Sequence, residues 1–138
     1  MKSAEDIESY LLRVGASADR VDAGIWIVKL EANQNLAISI AGPVVAFRLK
    51  VMDLPVGNRE QLYRTLLTLN TSEMVHGAFG LESEAVVIVH ALELENLDFN
   101  EFQAVIDDMT MAAAKHYPFL SRFVEHHASS SSTSAPAV

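Results

Sequence analysis

Cysteine is absent from the 138 residues, which removes disulfides, thiolate metal sites and cysteine nucleophiles together. A chain without it suits a reducing compartment. No apolar run approaches the ~18–20 residues that a membrane-spanning helix needs. The opening MKSAEDIESYLLRVG puts acids where a secretory signal would carry an uninterrupted apolar core. No signal is read there, and a cytoplasmic location is expected. Basic residues are scarce in one half only. Residues 1–70 hold eight Lys/Arg against eight Asp/Glu, whereas residues 71–138 hold two against ten and so carry the whole net charge of −8. An acidic surface of this kind repels phosphate backbones and anionic headgroups, so neither nucleic acid nor membrane is expected as a partner. No segment repeats.

What is present is an ordinary globular composition, 50% hydrophobic and 20% charged, in a chain long enough for one domain with a real core. Residues 1–127 are expected to form that domain. The tail 128–138, ASSSSTSAPAV, is of low complexity and is expected to be disordered.

Ser3 caps a first helix with Glu5 and Asp6 in its first turn, and Ile7, Tyr10, Leu11 and Val14 form one apolar stripe ending at Gly15. ASADRVDAG reads as a loop. Three strands follow, Ile25–Glu31, Leu36–Ala41 and Val44–Met52, joined by short turns into an antiparallel meander. Asn58, with Gln61 three residues on, predicts a capping box for a second helix. Its Leu62, Tyr63, Leu66, Leu67 and Leu69 make a stripe wider than one contact surface requires. Gly77 and Gly80 flank Phe79 in a short, closely approached strand. Ala85–Leu94 is apolar on both faces, as a central strand or one covered in an oligomer would be. Asp98 and Glu101 predict a second capping box, and Pro118 is expected to end or kink the last helix. The expected fold is α+β: a five-stranded antiparallel sheet with helices packed on it, in the order α-β-β-β-α-β-β-α.

That order, and residues at its joints, resemble the type III secretion chaperone-like group, which includes the CesT/Tir-chaperone family and YbjN-like bacterial domains. The residues concerned are Leu54-Pro55, Leu66-Leu67-x-Leu69-Asn70, Gly77-x-Phe79-Gly80-Leu81, Leu97-Asp98-x-x-Glu101-Phe102 and Tyr117-Pro118-x-Leu120. The last of these looks more like the YbjN-like members. The resemblance implies a small acidic homodimer that binds another protein and catalyses nothing. Chaperones of the first kind hold an extended segment of a secreted effector. The alternative is a YbjN-like regulatory or stress-response adaptor that binds folded partners.

Chemistry is poorly provided for. His126-His127 are adjacent, so on a helix they diverge by about 100° with no partner of ligand type at the next turn. His116 suits a helix C-terminus, His76 lies in a loop, and His90 shares a strand face with Ile88 and Leu92 as a hydrogen-bonded core or interface histidine would. Glu82/Glu84 and Glu93/Glu95 have the spacing of solvated strand-edge charges. Ser129–Ser132 lack a positioned base, and Gly77-x-x-Gly80 lacks the Lys-Ser/Thr of a phosphate loop. No enzyme activity, cofactor or metal is expected. Two apolar surfaces remain as candidates. Leu62, Leu66, Leu69, Val87 and Val89 are expected at a homodimer interface. Ile7, Tyr10, Leu11, Ile25 and Ile27 are expected to form a patch for a client polypeptide beside a free sheet edge.

Overall fold

The computed structural model of the chain describes residues 2–30 and 34–124. Its elements are α1 (Ala4–Arg13), β1 (Ser17–Asp22), β2 (Ile25–Lys29), β3 (Asn35–Ala41), β4 (Val44–Asp53), α2 (Arg59–Ser72), β5 (Ala78–Glu82), β6 (Ala85–Glu93) and α3 (Phe99–Leu120). The strands form one antiparallel sheet in the order β1-β2-β3-β4-β6-β5. The expected α+β architecture is present, with six strands rather than five. The additional strand is β1, taken from the segment that reads as a loop. In Ser17–Asp22 every residue except Ala18 is exposed, and a strand wet on both faces needs no apolar alternation.

Alternation in the other strands sorts side chains onto two faces. One face presents Trp26, Ile38, Phe47, Leu49 and Ile88, each at most 2% exposed, to α1 and α3. Tyr10 of α1 meets Phe102 of α3 at 5.5 Å between ring centres, and Phe102 meets Phe47 of the sheet at 5.8 Å. The Tyr10 hydroxyl donates to the Leu97 carbonyl at 3.2 Å, so the polar end of this buried ring is satisfied. Core and helix layer are thereby joined at one point.

α2 lies against β5, one of the sheet's two edges. Asn70 closes that edge: its Nδ2 donates to the Phe79 carbonyl at 3.1 Å, and its Oδ1 accepts from the Phe79 amide at 2.7 Å. An unpaired strand edge is a template for association, and one amide side chain here occupies both backbone groups of Phe79.

The helix ends follow expectation in part. Asp98 accepts from the Glu101 amide at 2.8 Å and Glu101 accepts from the Asp98 amide, so that capping box forms. The box expected at Asn58 does not. Asn58 takes a left-handed φ of 59°, and its side chain makes no cap bond. α3 runs through Pro118 to Leu120. Proline costs a helix one donor, but this one stands two residues from the end, and the fully buried Leu120 holds the last turn against the core. Close approach at Gly77 is real: at φ +88° an added Cβ would lie 3.0 Å from Ile88 Cγ2 and 3.2 Å from the Val89 carbonyl oxygen. Gly80 is not crowded in this way.

Candidate functional site: the open edge and its groove

The β1 edge differs from the β5 edge. β1 pairs with β2 on one side and with no described strand on the other. Beside it, α1 overhangs the sheet and leaves a groove of about 210 Å³ lined by Glu8, Leu11, Leu12, Ala16, Ala18, Arg20 and Trp26. Leu12 is 81% exposed, so the apolar wall it forms is open to solvent. Glu8 and Arg20 pair at 2.9 Å at the rim, and the Trp26 indole N–H donates to Glu8 Oε1 at 3.4 Å. The result is an apolar slot with a polar rim, beside a row of backbone groups that no described strand uses.

The five residues expected to form a client patch do not lie together. Ile7, Tyr10 and Leu11 point inward and are at most 8% exposed. Ile25 and Ile27 are half-buried on the opposite face of the sheet, because the larger Trp26 alternates with them and takes the helix-covered side. Of the five, only Leu11 touches the groove. The groove residues that sequence reading did not single out are Glu8, Leu12, Ala16, Ala18 and Arg20. Leu12 had a signal: it is an apolar residue lying off the stripe that buries α1.

The residues expected at a dimer interface are also divided. Leu62 and Leu66 are buried in the single chain's core, and Leu69 is packed at its margin. Val87 is 4% exposed although it lies on the face away from α1 and α3. The strand register explains this, because the 2.8 Å Arg48–Glu82 ion pair crosses β6 diagonally between the positions of Ala85 and Val89, over Val87. Val89 is 38% exposed. The side chains that α2 turns outward are others. Leu67 is 67% exposed and, with Tyr63, Glu60, Arg64, Thr68 and Thr71, borders a shallow depression of about 500 Å³.

Titratable side chains meet where the loop before β5 packs on α3 and β6. His76 Nδ1 pairs with the Asp108 carboxylate, tying the loop before β5 to α3. His90 Nδ1 accepts from the Gly77 amide at 3.0 Å, and its ring stands edge-on to His76 at 5.6 Å. Burial, reinforced by the positive charge His76 can carry, holds the His90 imidazole below its ordinary value. His116 is buried edge-on to Phe79. Among the described residues no three His, Asp or Glu side chains converge as a metal site would require. His126, His127 and Ser129–Ser132 lie outside the described residues, as does the expected boundary after residue 127. No described helix is long and apolar enough to cross a membrane.

Solved structures with this architecture are related by fold, at low identity. The heterodimeric ExoU–SpcU complex from the type III secretion system of Pseudomonas aeruginosa matches with a TM-score of 0.67 at 13% identity, over 81% of this chain and 95% of that one. The Yersinia pestis type III secretion chaperone SycH, solved with a stable fragment of YscM2, matches with a TM-score of 0.61 at 14% identity, over 81% and 97%. YbjN from E. coli matches with a TM-score of 0.60 at 11% identity, over 83% and 91%. No curated protein matches by sequence. A family model does, over residues 1–126, and it agrees with the fold: the chain belongs to the CesT_Tir_1 family.

Proposed function

We propose that the protein is a non-catalytic, cytoplasmic chaperone that holds an extended segment of a client polypeptide along β1. The observation that carries this reading is the unpaired β1 edge with an apolar groove beside it, on a sheet whose other edge is closed by Asn70. Strand addition supplies main-chain hydrogen bonds, and a slot for alternate side chains supplies selectivity. The solved relatives include a type III secretion chaperone in complex with a fragment of another protein and a chaperone–effector complex, and the family membership supports the same use here.

We further propose that the working form is a homodimer joined through the outward face of α2, centred on Tyr63 and Leu67. The domain in this proposal spans residues 1–127. Leu12→Asp tests the holding function. Leu12 is exposed, so the change should alter stability by no more than about 0.5 kcal/mol. It should nevertheless abolish co-purification of the polypeptide that the wild type retains. Equal recovery of that polypeptide by the variant would overturn the assignment.

A further inference from the structure

Two carboxylates stand on β1 on the face away from the groove. Asp19 pairs in register with Ile27 and Asp22 with Ile25, both on the sheet face opposite α1. A register shift between Arg20 and Asp22 puts the extra residue, Val21, between them. Residues three apart on a regular strand face opposite ways; the bulge is what brings Asp19 and Asp22 onto one side. Both are exposed, and no ion pair engages either among the described residues. Asp22 Oδ1 accepts only from the Ala23 amide in the turn. Lys29 lies on the same face but on β2, away from the edge, opposite Ser17. On the groove side the cation is Arg20, already paired with Glu8.

The strand therefore presents two unlike sides to anything added beside it. Toward the groove lie Ala18 and apolar walls; away from it lie the carboxylates of Asp19 and Asp22, which no ion pair engages among the described residues. We infer that the β1 edge selects an extended segment in which apolar residues, seated in the groove, alternate with lysine or arginine facing Asp19 and Asp22. This rests on the strand-holding reading above and adds to it the chemical class of the segment. Side chains directly opposite and diagonal across a strand pair interact, and opposite charges there are favourable while like charges are not. The same argument rejects a second copy of this chain as occupant. Its own edge offers no cation on that face to meet Asp19 and Asp22, only Ser17 and two more carboxylates.

The experiment uses two capped nine-residue peptides, one alternating Lys with Val and one alternating Glu with Val. Binding is read from the emission of Trp26, the chain's single tryptophan, which lines the groove. The wild type should bind the Lys peptide about tenfold more tightly than the Glu peptide at low salt, and the difference should shrink as salt is raised. Asp19→Lys/Asp22→Asn, which keeps the turn acceptor at position 22, should reverse the order. Leu12→Asp should remove both. Equal binding of the two peptides by wild type and charge variant, lost in Leu12→Asp, would overturn the charge selectivity while leaving the groove reading intact. Binding indifferent to Leu12→Asp, or no binding of either peptide, would overturn both.

Discussion

Protonation of His90 would take an acceptor out of the fold, because its Nδ1 receives the Gly77 amide. The folded imidazole is held below the ordinary 6.5 by burial first and by His76 second. An unfolded His90 binds a proton near 6.5 while the folded one resists it. The unfolded state thus binds more protons in that window, and stability is fully present above it and declines as pH falls through it. His90→Asn retains an acceptor without a titration. Thermal melts between about pH 7.5 and about pH 5.5 should show a steeper fall for wild type than for the variant; parallel curves would contradict this. Gly77 itself should tolerate no side chain. Gly77→Ala combines a left-handed backbone with contacts of 3.0 and 3.2 Å, and urea unfolding should report a loss on the order of 1–3 kcal/mol. The crowding at Gly77 and the hydrogen bond of a half-buried His90 were both readable from sequence, the first from flanking glycines and the second from the apolar neighbours of its strand face. The His76–Asp108 pair was not, because 32 residues separate partners that only the docking of α3 brings together.

At the scale of elements, the chain's two sheet edges have opposite treatments. Asn70 at the end of α2 satisfies both backbone groups of Phe79, so Asn70→Ala should leave them bare. The expected cost is about 1–3 kcal/mol by urea unfolding, with new self-association visible by light scattering. An unchanged midpoint and mass would show that the closure of β5 does not depend on this side chain. β1, the open edge, is the element that hydrophobic periodicity could not reveal. Strands β2, β3, β4 and β6 announce themselves because one face of each enters the core, whereas β1 buries nothing fully. For the same reason pattern alone grouped five residues that the fold separates. Alternation told which residues of β2 share a face, but not that α1 covers the face of Trp26 and leaves Ile25 and Ile27 behind. Capping was legible where backbone geometry was ordinary, at Asp98, and not at Asn58, where a left-handed φ turns the side chain away from its helix.

For the whole molecule, the wide apolar stripe of α2 resolves into an inner half, Leu62 and Leu66, spent on the core, and an outer half, Tyr63 and Leu67, left exposed or half-buried. The oligomer is therefore tested at Leu67. An aspartate at Leu66 would bury a charge and unfold the chain instead. Light scattering should give wild type twice the 15.1 kDa of one chain and Leu67→Asp a folded single chain. A monomeric wild type would remove the dimer from the account and leave the groove untouched. The most direct test of the central claim is amide hydrogen exchange of the protein with and without the polypeptide that co-purifies with it. Slowed exchange along Ser17–Asp22, together with protection of one short segment of an otherwise unfolded partner, is the predicted result. Unchanged exchange in β1, or a partner that remains folded throughout, would contradict it.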